Sequence, residues 1–102
     1  MPILPGKTHE FEQFVREISG ARQKEYDASQ KRKGYSRQYV CLASTSAGDL
    51  AVVYEEAESL ARADELSAAA NEPFDLWFRQ QLMAVHGTIP VPGKALLDWK
   101  AS

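Results

Sequence analysis

The chain has 102 residues, a single cysteine and a formal net charge of −2. Hydrophobic residues make up 44% of it and charged residues 25%, which is the composition of one globular domain spanning residues 1–102. The slightly acidic balance argues against a nucleic-acid module, which needs a basic excess, and a lone Cys41 leaves no internal disulfide framework.

No apolar run approaches the roughly 18 residues of a membrane-spanning helix, and no secretory signal opens the sequence. Both point to a cytoplasmic protein that does not engage a membrane. No CxxC, HExxH, GxGxxG or GKS/T pattern occurs. The motifs therefore imply no metal and no cofactor.

Met1 to Leu4 is a short apolar start that reads as a strand, ended by the turn pair Pro5-Gly6. Thr8 is a candidate N-cap for the helix that follows. Phe11, Phe14, Val15 and Ile18 share one face of that helix, with Glu12 and Arg16 paired on the outer side. Ser19-Gly20 weakens the helix, but the pattern runs on to about Lys33, and Gly34 suits the stop. Past Gly20 the inner stripe turns polar: Ala21, Arg22, Glu25, Tyr26 and Ser29. Such a stripe has either overrun the sheet or lines a wet cavity. Arg22 and Tyr26, one turn apart, are candidates for gripping a polar ligand. The basic cluster Lys31, Arg32, Lys33 and Arg37 reads as a solvated helix end that complements the helix dipole.

Tyr35–Ser44 and Leu50–Glu56 are β-rich and form a hairpin around Thr45–Asp49. Leu50, Val52 and Tyr54 point one way, and Ala51, Val53 and Glu55 the other. Both faces carry apolar residues, so helices cover one and a second subunit is the economical cover for the other. Cys41, within YVCLA, reads as a small buried hydrophobe. Glu55, Glu56 and Glu58 read as a solvated acidic edge.

Ser59–Ala70 is an alanine-rich helix with Ser59 as N-cap and Leu60, Ala63 and Leu66 inward. The next helix, Pro73 to Gly87, carries Phe74, Trp77, Phe78, Leu82 and Val85 on one face. Pro73 suits its first turn and Gly87 its end. After a loop with Pro90 and Pro92, ALLDW (Ala95–Trp99) reads as a last short strand. The order is β-α-β-β-α-α-β, which describes an α+β ferredoxin-like sandwich with helices on one face of an antiparallel sheet.

This order, the short length and the half-uncovered sheet resemble the dimeric α/β-barrel superfamily, which includes the antibiotic-biosynthesis monooxygenase-like proteins. PILPGKT, GDLAVVYEEAE, PFDLWFRQQLMAVHG and LLDW look like a small bacterial subgroup of such domains. The resemblance spans essentially the whole chain. It implies a homodimer with sheets facing each other, and a pocket for a small organic ligand between sheet and helices. One departure stands out. In such a sheet the first strand is central, yet Pro2 cannot donate to a ladder. The expectation is a start upstream of Met1 or an unusually short strand.

Within such a pocket the candidate catalytic residues are His86 and Tyr26, and the candidate ligand-binding residues are Arg22, Tyr54, Trp77 and Trp99. An imidazole serves as acid or base near neutral pH, although His86 at a helix end also suits the bland role of satisfying carbonyls. Trp77 and Tyr54 equally suit a plain core, and Trp99 a dimer contact. His9 carries no role. The leading expectation is a cofactor-free monooxygenase or isomerase acting on an acidic, electron-rich substrate. The alternative is a non-catalytic dimeric domain that binds a ligand or partner. A third reading, haem handling, would use His86 as axial ligand.

Overall fold

The computed structural model describes residues 1–89 and 95–101. The chain is α+β, in the order α1 (Thr8–Ser19), α2 (Gln23–Lys33), β1 (Tyr35–Thr45), β2 (Gly48–Ala57), α3 (Leu60–Ala69) and α4 (Pro73–His86). Among the described residues the sheet is the antiparallel pair β1–β2.

Phe11, Phe14 and Ile18 bury one face of α1, with Glu12 and Arg16 paired at 3.9 Å on the exposed side. Thr8 does not cap the helix. Its hydroxyl donates instead to the Asp49 carboxylate, which ties the start of α1 to β2. The helix predicted to reach Lys33 breaks into two. The Ser19 hydroxyl turns back onto the Val15 carbonyl at 2.7 Å, competing with the helix ladder. Gly20 then leaves helical geometry at φ −128° and ψ −103°. α2 restarts at Gln23 and stops at Gly34, whose φ of 89° is the left-handed turn expected there.

The hairpin is tighter than the sequence suggests. Thr45 pairs with Gly48, so Ser46 and Ala47 alone make the loop. The Thr45 hydroxyl braces it by donating to the Gly48 carbonyl at 2.7 Å and accepting from the Ala47 N–H. Alternation along the strands puts Gln38, Ala51 and Glu55 on the helix side. Tyr39, Cys41, Val52 and Tyr54 lie on the opposite face, where all four are exposed. Cys41 is therefore not the buried hydrophobe expected, because among the described residues no helix covers its face.

The two flanking strands of the expected seven-element order do not form. Met1–Leu4 contributes one bridge, Pro2 to Leu50, with Ile3 N–H donating to Asp49 O and Ala51 N–H to Met1 O. Leu4 N–H turns away to Val85 O at the end of α4. Pro2 has no N–H, and the turn at Pro5-Gly6 ends the run. ALLDW is a correction too: residues 95–101 carry neither helix nor strand. A last strand in this topology needs the free edge of a full central first strand, and four residues do not supply one. Pro90 and Pro92, expected in a loop, lie outside the described residues.

The core has two parts. Ile3, Phe11, Ala51 and Val85 pack where α1, α4 and β2 meet. Phe14, Ile18 and Phe74 pack together with Tyr26, Trp77, Phe78 and Leu82 against them. The apolar stripe of α4 thus joins both parts, as its spacing predicts. On α3 the Ser59 hydroxyl accepts from Arg62 N–H and Ala63 is buried, but Leu60 is exposed rather than inward. Among the described residues no helix is long and apolar enough to cross a membrane.

Candidate functional site

The cavity that gathers polar groups lies between α2 and β1, and a strand irregularity creates its wall. Tyr35 pairs with Ala57 and Arg37 with Glu56, which leaves Ser36 as one extra residue on β1. Strict alternation would put Tyr35 on the open face beside Arg37 and Tyr39. The bulge turns it to the helix side instead, the re-aiming that such insertions perform. There its hydroxyl donates to Asp64 of α3 at 2.9 Å and accepts from Ser67 at 3.3 Å. Burial pushes the Tyr35 phenol up, and its bond to Asp64 adds to that.

Next to the bulge, Gln38 is the hub of a hydrogen-bonded cluster. Its carbonyl oxygen accepts from the Tyr26 hydroxyl and from the Gln30 amide, and its own amide donates to Glu55 at 2.6 Å. Tyr26 and Gln30 stand one turn apart on α2, so both reach β1. The Gln30 carbonyl oxygen is buried with no hydrogen-bond partner among the described residues. Burial first, then the charges of Glu55 and Asp27, push the Tyr26 phenol up to about 12. Tyr26 therefore keeps its proton throughout the neutral range and acts as a donor, not a base. These groups line a cavity of about 220 Å³ together with Asp27, Lys31, Tyr35, Ser36 and Arg37. The volume is below the ~300 Å³ at which drug-sized ligand pockets begin, so it suits one small molecule.

A second groove of about 270 Å³ runs between α1 and β1, lined by Phe11, Val15, Val40 and Leu42. Its charged groups, Glu12 and Arg16, pair with each other, which leaves little to orient a ligand.

The six residues singled out from the sequence do not share one pocket. Tyr26 alone lines the α2–β1 cavity. Arg22 precedes α2, binds Glu25 through two nitrogens at 3.1 and 3.0 Å, and lies over the Trp77 ring at 4.0 Å. Trp77 packs against Phe14 and Phe74 as part of the core. Tyr54 stands on the far face of the sheet, donating to Glu56 with Arg37 over its ring at 5.7 Å. Trp99 projects from the C-terminal segment, largely exposed.

His86 is buried at the end of α4. Its Nδ1 donates to the Pro2 carbonyl at 2.8 Å, and its ring meets Phe11 edge-on. Its Nε2 is buried without a partner among the described residues. The imidazole thus braces the N-terminal segment against α1 and α4, and no contact joins it to Tyr26.

Sequence reasoning missed Gln30, Gln38 and Tyr35. The first has a signal, its position four residues after Tyr26. The bulge that exposes the others to the cavity has none. It also missed the ion cluster under α2, where Lys33, expected in solvent, is buried. Asp75, 3% exposed in the first turn of α4, accepts from Ser29 and Arg32 and faces Lys33 at 3.7 Å. Burial pushes Asp75 up, but the Ser29 and Arg32 bonds and the charge of Lys33 outweigh it and hold the carboxyl low. Burial lowers Lys33 by more than Asp75 raises it. Every member of this cluster is tied to another, so its work is to fasten α2 to α4. Among the described residues no three His, Cys, Asp or Glu side chains gather as metal ligands. No family model, curated protein or solved structure matches the chain.

Proposed function

We propose that the chain is a small-molecule-binding domain whose site is the α2–β1 cavity. The observation that carries this reading is the bulge at Ser36, beside which a small cavity is lined by the Tyr26–Gln38–Gln30 cluster. Polar side chains converging on a confined space are what fix the orientation of a small ligand. A molecule of benzoate or benzamide size suits the volume. Lys31 among the lining residues suits an acidic group, and the Gln30 carbonyl oxygen, buried without a partner among the described residues, suits a donor. The geometry favours binding over catalysis, because His86, the candidate acid or base, is engaged elsewhere and Tyr26 holds its proton.

The test is amide-resolved NMR titration with 4-hydroxybenzoate and with benzamide. One of them is expected to shift the resonances of Tyr26, Gln30 and Gln38. Tyr26→Phe keeps the ring and removes the hydroxyl that holds Gln38 in place, so it is expected to weaken binding about tenfold, the worth of one buried hydrogen bond. Shifts confined to other regions, or an unchanged affinity in Tyr26→Phe, would place the site elsewhere.

A second reading concerns assembly, and the open sheet face favours it. Tyr39, Cys41, Val52 and Tyr54 form an apolar surface that stays exposed among the described residues. In the proposal two copies cover these faces mutually, giving the ferredoxin-like homodimer of a dimeric α/β barrel.

A further inference from the structure

The C-terminal segment is the least satisfied part of the described chain. Leu96, Leu97 and Trp99 are 88%, 84% and 76% exposed, in a stretch with neither helix nor strand. Three large apolar side chains so close together are rarely left in water without a partner surface. The same chain carries an uncovered surface of matching character, Tyr39, Cys41, Val52 and Tyr54 on the open sheet face.

We infer that this segment is an exchanged arm: Leu96, Leu97 and Trp99 of each copy seat on the open sheet face of a second copy. The inference rests on the homodimer reading above and names what seals it.

Two observations choose this occupant. The first is apolar exposure. Tyr39, Val52 and Tyr54 are each about half exposed and the three arm residues more so, and a standard interface takes ~800 Å² from each partner, so face and arm together offer more of that contact than the face alone. The second is charge. The one acid of the arm, Asp98, matches Arg37 at the end of the face, whose own pair with Glu56 is long at 3.7 Å and exposed. A two-fold pair gives each arm the other copy's face and closes the assembly, since the same patch meets itself reversed.

The experiment uses light scattering and one cross-link. The wild-type chain is expected to be a dimer at micromolar concentration, with Trp99→Asp weakening it about tenfold or more. Leu97→Cys, treated with diamide, is expected to join the native Cys41 of the other copy, giving a covalent dimer whose linked peptides are read by mass spectrometry. All three arm residues are exposed, so these variants fold. A wild-type monomer would overturn both the dimer and the arm. A dimer unaffected by Trp99→Asp but lost in Val52→Asp would keep the dimer and overturn the arm. In the Leu97→Cys variant, a disulfide from the introduced thiol to Cys41 of the same chain, or no such disulfide, would also overturn the exchange.

Discussion

Asp75 is the residue on which the helix layer turns. It stands in the first turn of α4, where the helix dipole favours a carboxylate, and among the described residues it is the acid that pairs with the buried Lys33. Truncating one member of a buried pair leaves the other charge unpaired, which costs about 3–5 kcal/mol. Asp75→Ala is therefore expected to lower unfolding free energy by about that amount, read from urea denaturation. The pH dependence follows from the direction of the shift. Asp75 is held below its ordinary carboxyl range in the folded state, so it contributes stability above about pH 4 and loses it as pH falls further. The wild type is expected to weaken in that acid window, and Asp75→Ala to weaken less steeply there. An equal slope in both would assign the acid response to other carboxylates. None of this was legible in sequence, where Lys33 looks like one more cation at a helix end. Burial came from Asp75, 42 positions away, which no local pattern connects to it.

At the scale of elements, local chemistry spoke clearly where it acted alone. The apolar stripes of α1 and α4, the Ser59 cap and the glycine stops at Gly34 and Gly87 needed only spacing and propensity. The α1–α2 break was misread because propensity and contact geometry disagree at Gly20. Within a continuous helix, Gly→Ala gains about 1 kcal/mol. Here a Cβ would stand 2.8 Å from the Arg16 carbonyl oxygen, which is backbone and cannot swing aside. Overpacking of that kind costs about 1–3 kcal/mol. Gly20→Ala is thus expected to destabilise the protein, with a lower urea midpoint than wild type. A higher midpoint would mean that the helix has healed through Gly20 as its sequence suggests. The Ser36 bulge failed to show for a different reason. Register depends on both strands, and YSRQYV reads as an unbroken strand taken alone.

At the scale of the molecule, one question remains after the helices are packed: what keeps water from the outer sheet face and from the arm. Alternation on β2 placed apolar residues on both faces, so apolar residues on the outer face were legible in the hairpin. The chain's own candidate for closing the sheet, ALLDW, forms no strand, because Met1–Leu4 gives it no edge to join. If two copies supply the cover, folding and association are linked by mass action, and thermal stability depends on concentration. A hundredfold rise in concentration adds about 1.4 kcal/mol per chain, which for a domain of this size raises Tm by about 5–10 °C. Calorimetry at two concentrations is expected to show that rise, and Trp99→Asp to show it from a lower starting Tm. The buried contact is apolar, so about 1 M sodium chloride is expected to leave the effect intact, whereas an assembly held by Arg37–Asp98 alone would dissolve at that screening length of roughly 3 Å. A concentration-independent Tm would mean that each copy tolerates the open face by itself.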